Sequence, residues 1–242
     1  MNDLEIFKSY VNKFDMSDKN IARKYGHSIR VMNNAVEIAH FLKLDEHNLK
    51  LAQFIGLTHD IGRFLQWKIY GTFVDNKSID HAILGIQVLF GESKQVKFDI
   101  DFGDEKVIRS AIYNHNKYKI DELLSEDELL HAKIIRDADK IDLLYLLGEE
   151  EIVLEEDNSE VTDVIADAFW NFKEIDTLDC KTLSDKILFK MAFVFDINFL
   201  KSFEIIKKEK LLDKFYNNLK YKEKYKKYYL HAKEFLDSKV SI

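Results

Sequence analysis

Leu51-Ala52-Gln53-Phe54-Ile55-Gly56-Leu57-Thr58-His59-Asp60 is an apolar run that ends on a histidine and an aspartate side by side. Ala52, Ile55 and His59 recur at the spacing of about 3.6 residues that marks one helix face, so the imidazole follows the apolar stripe inward. Taking an imidazole and a carboxylate out of water without partners costs several kcal/mol. Mutual pairing or a bound metal ion removes that penalty, and the doublet therefore points to a metal site on a helical frame.

Outward from this run the same spacing recurs. Stripes form at Val31, Ile38 and Phe41; at Leu84 and Val88; and at Ile108, Ala111 and Ile112. Past the middle of the chain, Val164, Ile165, Ala168, Phe169 and Phe172 form another, as do Ile187, Leu188, Met191, Val194 and Phe195. The chain has no proline and only 8 glycines, which leaves helix unopposed nearly everywhere. Val96 to Phe102 is the one short stretch with strand-like alternation. Small polar residues that accept from free helix N–H groups predict helix starts at Ser17, Asp80, Asp104, Ser125 and Ser184. The expected fold class is all-α.

At 242 residues and 46% hydrophobic, the chain can bury about 70% of its unfolded surface. A net charge of -7 argues against coating nucleic acid, which needs a basic surface to displace counterions, and favours a small substrate. Cys180 stands alone and forms no internal disulfide. No apolar run reaches the roughly 18 residues of a membrane span, and Asp3, Glu5 and Lys8 interrupt any signal-peptide pattern. The expectation is a cytoplasmic protein with no membrane or nucleic-acid partner. There is no internal repeat. Residues 1–242 are expected to form a single unit, with a site-bearing core over about 18–148 and a helical extension over about 160–240. The acidic stretch Glu149 to Asp157 is the candidate joint, and Gly71 to Ser78 reads as a loop lining a pocket.

Placing the ionisable residues on their helices gathers the chemistry. His27 shares the stripe of Val31 and Ile38, His81 that of Leu84 and Val88, and His115 that of Ile108 and Ala111. Asp139 lies with Ile135, Ala138 and Leu146. One inward histidine is ordinarily a hydrogen-bonded core residue. Five such groups, together with Asp60, form instead the pattern by which helical bundles project ligands into a shared interior.

The order His27, then His59-Asp60, then Asp139 within Arg136-Asp137-Ala138-Asp139-Lys140-Ile141-Asp142 resembles the HD-domain superfamily of metal-dependent phosphohydrolases over roughly residues 20 to 150. The resemblance implies an all-helical HD-domain bundle, with a C-terminal helical extension in this chain. It also implies that His27, His59, Asp60 and Asp139 bind one divalent ion, with His59-Asp60-Ile61-Gly62-Arg63-Phe64 as the family's central helix. Asp137 and Asp142 match no ligand position. His81 and His115 stand where two-metal members carry further ligands, which implies a second ion bridged by Asp60. The alternative is one ion, with His81 and His115 binding a substrate phosphate. The chain lacks both a GYP-type signature and an acidic pair after the doublet, so neither a cyclic dinucleotide nor an alarmone follows as substrate.

The expected function is hydrolysis of a nucleotide or other small phosphate ester, with manganese, iron, cobalt, nickel or magnesium as the ion. Lowering the pKa of a water from 15.7 to about 7 amounts to about 12 kcal/mol toward making hydroxide. Beside Asp60, Arg63 is the second candidate catalytic residue and a phosphate fork, or else a salt bridge at a helix end. Lys140 is a candidate phosphate contact, or else a solvated lysine. Two other classes stay open: a di-iron oxygenase similar to myo-inositol oxygenase, and a non-catalytic ligand-binding module. Trp67, Tyr70 and Phe73 read as loop packing or as a base-stacking surface. His40, His47, His131 and His231 read as residues without a matching partner. Tyr221, Tyr225, Tyr228, Ala232 and Phe235 form an inward stripe that leaves the neighbouring lysines solvated.

Overall fold

The structure, a computed structural model, describes residues 2–92, 96–101 and 103–240. Among the described residues it is all-helical, with no strand. The alternating stretch from Val96 is irregular through Asp101, and Phe102 lies outside the described residues. The chain divides into two compact units, Met1–Asp139 and Lys140–Ile242. That division falls inside a continuous helix, α7 (Glu126–Gly148), and not at Glu149 to Asp157. The border lies within the polar run Arg136 to Asp142, where the helix continues unbroken and so leaves no loop signal in the sequence.

The first unit holds α1 (Asp3–Val11), α2 (Lys19–Phe41), α3 (Glu46–Thr58), α4 (Gly62–Tyr70), a short 3-10 turn at Asp75–Lys77, α5 (His81–Phe90), α6 (Glu105–Asn114) and the first part of α7. Asn2 and Glu5 close a reciprocal capping box on α1. Asp18, not Ser17, caps α2, while Ser17 binds the carboxylate of Asp15. Asp80 accepts from the N–H groups of Ala82 and Ile83 as expected, whereas Asp104 precedes α6 without a side-chain cap. Phe64 meets Phe7, Tyr10 and Phe14 at ring separations of 5.8, 6.3 and 5.8 Å, anchoring α1 on α4. Val31 and Ile38 are buried on α2, but Phe41, at the helix end, is exposed.

Two glycines set the helix spacing. A Cβ on Gly56 would lie 2.8 Å from the backbone of Met32, so α3 rests directly on α2. One on Gly62 would lie 2.4 Å from the carbonyl oxygen of His81 and 2.5 Å from the amide of Gly85, so α4 lies backbone to backbone on α5. Both contacts need a residue without a side chain.

The second unit contains the rest of α7, then α8 (Asp163–Trp170), α9 (Leu183–Met191), a 3-10 turn at Ala192–Asp196, α10 (Leu200–Lys208), α11 (Leu211–Asn218) and α12 (Lys222–Val240). Ile165, Phe169, Ile187, Leu188, Met191 and Val194 are buried as the stripes require, while Val164 and Phe172 are exposed. Phe172 follows the end of α8 with a left-handed φ of 54°, which turns it off the stripe. Thr182 with Asp185 forms the cap of α9, and Ser184 is instead buried within the helix. The acidic stretch is part of this unit: Glu156 accepts from the N–H groups of Lys220 and Tyr221 ahead of α12, and Glu149 pairs with Lys214 at 2.6 Å. Tyr225, Tyr228 and Ala232 face inward. No described helix is long and apolar enough to cross a membrane.

Candidate metal centre

The histidine and aspartate of the doublet lie in a break between helices, not within one. α3 stops at Thr58, α4 starts at Gly62, and the backbone between them turns through Ile61 N–H to Thr58 O and Arg63 N–H to Asp60 O bonds. Adjacent residues of an unbroken helix point about 100° apart. Both side chains of the doublet nevertheless enter one cluster, and the backbone contact of Gly62 brings in α5 with His81 as its first residue.

Six side chains from the first unit converge there. His27 Nε2 lies 3.2 Å from His59 Nε2, 3.2 Å from Asp139 Oδ1 and 3.4 Å from Asp60 Oδ2. On the other side of the same carboxylate, Asp60 Oδ1 is 3.3 Å from His81 Nε2 and 3.6 Å from His115 Nε2, and these two nitrogens are 3.0 Å apart. Asp60 thus presents one oxygen to each pair of imidazoles. His27, His59, Asp60, His81 and His115 are buried, and the Asp139 side chain retains 16% exposure. The donor atoms of His27, His59 and Asp139, and those of His59, Asp60 and His115, each lie within 4.8 Å of one another, close enough to hold a metal ion.

The hydrogen bonds on the far side of the rings fix what those nitrogens offer. His59 and His115 both stand at helix C-termini, where Nδ1 meets the carbonyls of Gly56 at 2.9 Å and Ile112 at 2.6 Å. Helix-end carbonyls lack intrahelical partners and accept only, so each Nδ1 carries the proton. His81 Nδ1 is 2.6 Å from the carboxylate of Asp75, which requires the same tautomer. In these three rings, when neutral, each Nε2 is then a lone pair aimed at other ring nitrogens and at a carboxylate. A hydrogen bond between His81 and His115 would need one ring to be imidazolium. Burial, reinforced by Arg63, holds His81 down to about 4 against the pull of Asp75, and burial likewise lowers His59. Burial works to raise both Asp60 and Asp139. Lys24 and the histidines outweigh it at Asp60, as His27 and His59 do at Asp139, and both carboxyls stay well below the usual range. Neutral imidazoles and ionised carboxylates are the protonation states a divalent cation needs, so the donor set fits one.

Other residues stand differently from their sequence-level expectations. Arg63 Nη1 donates to Gln66 Oε1, Phe73 O and Asp75 Oδ1 at 2.7, 2.6 and 2.8 Å, which is the salt-bridge alternative. Lys140 is not solvated: it is buried, and its ammonium lies 2.6 Å from Asp196. Trp67 stacks on Phe73 at 4.8 Å and donates to Asp18, while Tyr70 is exposed. His40 and His47 are exposed, His47 beside Asp104 at 3.0 Å. His131 is buried, with Nε2 2.9 Å from Asn48 Oδ1, and His231 stacks on Phe172.

Two neighbours of the cluster escape the sequence reading. Lys24 places its ammonium 2.6 Å from Asp60 Oδ2. The spacing Lys24-Tyr25-Gly26-His27 is the available signal, because residues three apart share a helix face. Asp75, from the Gly71 to Ser78 loop, receives His81 on one oxygen and Arg63 and Gln66 on the other. A loop aspartate has no periodicity to reveal it.

A family model for the HD domain matches residues 25–144, which takes in every member of the cluster from His27 to Asp139. Comparisons with curated proteins and with solved structures gave no match. With the match, the helical fold and the converging histidines and aspartates in agreement, residues 25–144 of the chain form a domain of the HD superfamily.

Proposed function

We propose that this protein is a metal-dependent phosphohydrolase with a two-cation centre, acting on a nucleotide or another small phosphate ester. The observation that carries the reading is the pair of acceptor nitrogens of His81 and His115, 3.0 Å apart and both facing Asp60 Oδ1. His27, His59, Asp139 and Asp60 Oδ2 would hold one ion, and His81, His115 and Asp60 Oδ1 the other. Manganese, iron, cobalt, nickel and magnesium all suit such imidazole and carboxylate donors. A divalent ion held there would supply a water with its pKa lowered toward about 7 and a Lewis acid for phosphoryl oxygens.

The chain's own part is charge and position. Asp60 and Asp139 supply two negative charges against the four of two divalent ions, which leaves the site attractive to a phosphate anion. Burial excludes bulk water and strengthens each of these interactions. Asp75 and the helix-end carbonyls hold the imidazoles in the ligating tautomer, as outer partners do in metal sites. The superfamily is composed mostly of metal-dependent phosphohydrolases, which favours this chemistry. The same six donors also suit a di-iron oxygenase, so the test needs two arms. Protein purified without added metal is analysed for bound metal, then screened against phosphorylated compounds and for oxygen consumption in its iron form. Phosphate release with a divalent ion supports the proposal. Metal-loaded protein that releases no phosphate but consumes oxygen assigns the site to oxygen chemistry instead.

A further inference from the structure

We propose that Lys24 binds the phosphoryl group of the substrate, taking the role that Arg63 has in the sequence reading; this rests on the phosphohydrolase assignment and adds a residue to it. Lys24 sits on α2 one turn before His27, and its side chain keeps 15% exposure, close to the 16% of Asp139, while the other five cluster side chains are buried. Its ammonium crosses the Phe73 ring at 5.7 Å and ends 2.6 Å from Asp60 Oδ2. That oxygen also lies 3.4 Å from His27 Nε2 and 3.9 Å from His59 Nε2, inside the donor set of the first cation.

One oxygen cannot serve both cations equally. A divalent ion among His27, His59 and Asp139 draws on the electron density that Lys24 uses, and it repels the ammonium across a short, water-poor gap. The other Asp60 oxygen faces His81 and His115, so the carboxylate offers Lys24 no second place. Loading the site therefore turns a paired lysine into an unpaired one at the mouth. An anion that bridges the metal and the ammonium restores its partner. A phosphoryl group has several oxygens for such bridging and carries the needed charge. Arg63 is held the more firmly of the two, its Nη1 donating to Gln66, Phe73 and Asp75.

The ion pair of Lys24 with Asp60 thus gives opposite signs for metal and for phosphate. Removing the ammonium relieves competition for Asp60 and removes a contact to the anion. The experiment titrates Mn2+ into metal-free protein, then inorganic phosphate into Mn2+-loaded protein, by calorimetry, for the wild type, Lys24→Met and Lys24→Arg. Lys24→Met is expected to bind Mn2+ at least as tightly as the wild type and phosphate about 10- to 100-fold more weakly, the loss of one charge-assisted contact. Lys24→Arg is expected to recover most of the phosphate affinity. Should the Met variant fold poorly, Lys24→Gln keeps a hydrogen-bond donor near Asp60 without the charge and carries the same expectation. Unchanged phosphate affinity in the neutral variants overturns the role of Lys24 alone. Parallel loss of Mn2+ and phosphate in a folded variant makes the lysine structural and also overturns it. Failure of the loaded wild type to bind phosphate removes the phosphohydrolase reading, and this inference with it.

Discussion

Replacing Gly62 by alanine should remove one metal ion and leave the other. The new methyl carbon would lie 2.4 Å from His81 O, 2.5 Å from Gly85 N and 3.0 Å from Gly85 Cα, all backbone atoms that cannot swing aside. Bringing these contacts to a tolerable distance opens α4 from α5 by more than about half an ångström, whereas metal–ligand distances tolerate only about 0.2 Å. His81 is the first residue of α5 and moves with it, while His27 on α2, His59 and Asp139 do not depend on that contact. Overpacking of this kind costs about 1–3 kcal/mol, offset in part by up to about 1 kcal/mol from the better helix propensity of alanine. For a chain of this size each kcal/mol moves Tm by about 2–4 °C, so the remaining cost corresponds to a fall of up to about 12 °C.

Gly85→Ala is the matched control on the same interface. Its methyl would meet nothing closer than 3.5 Å, so both metal content and stability should persist. Gly56→Ala, whose methyl would lie 2.8 Å from Met32 Cα, perturbs α3 against α2 and so weakens the ion held between His59 and His27. Thermal unfolding is measured on metal-free protein, because bound metal would itself raise Tm by mass action. Metal content is read by elemental analysis after dialysis and by titration. Two ions bound with wild-type affinity in Gly62→Ala, at unchanged Tm, would refute the claim that this backbone contact sets the position of His81.

Asp60→Asn should abolish binding of both ions, since it weakens the donor set on each side of the carboxylate; elemental analysis showing one full equivalent retained would rule out a shared ligand. Asp75→Ala and Arg63→Ala cut the same tie to His81 from two ends, so both should keep the first ion and weaken the second, Asp75→Ala by about 10- to 100-fold, as outer partners of metal-bound histidines do. Hydrogen exchange over residues 71–78 should rise in both variants, and protection equal to wild type would count against the tie. His131, held down to about 4 chiefly by burial, is neutral in the fold but takes a proton at about 6.5 when unfolded. Its contribution is therefore complete above pH 6.5 and drains away as pH falls toward 4, by up to about 3 kcal/mol. Denaturant titrations across that range should show a shallower pH dependence for His131→Gln, and an identical slope in both proteins would contradict it.

The sequence made the convergence legible because burial acted on helices. His27, His81, His115 and Asp139 each fell on an apolar stripe, and a side chain on such a stripe has nowhere to go but inward. The same argument misplaced Phe41, Val164 and Phe172, at or near helix ends where the stripe no longer covers the chain. It also treated His59-Asp60 as part of one helix. Pattern alone hides the break, because Ile61 and Phe64 continue an apolar rhythm through it. Gly56 and Gly62 carry no stripe signal in the sequence, yet they are where backbones touch.

What stayed out of sight were groups whose role depends on a partner distant in sequence. Arg63 sits three residues after Asp60, which made a phosphate fork as reasonable as a salt bridge, and its contacts to Asp75, Gln66 and the carbonyl of Phe73 become visible only in the fold. Lys140 was equally ambiguous until Asp196 appeared beside it. Lys24 is the reverse case, a charged residue in an ordinary helical turn that becomes interesting solely because Asp60, 36 positions away, lies against it. Local periodicity reports which face a residue occupies, not which charge waits opposite. The ligand set of a helical metal centre is therefore far easier to read from sequence than the cations and carboxylates that tune it. In this chain those outer residues, Lys24 on one side of Asp60 and Asp75 behind His81, are where selectivity for metal and substrate should be sought.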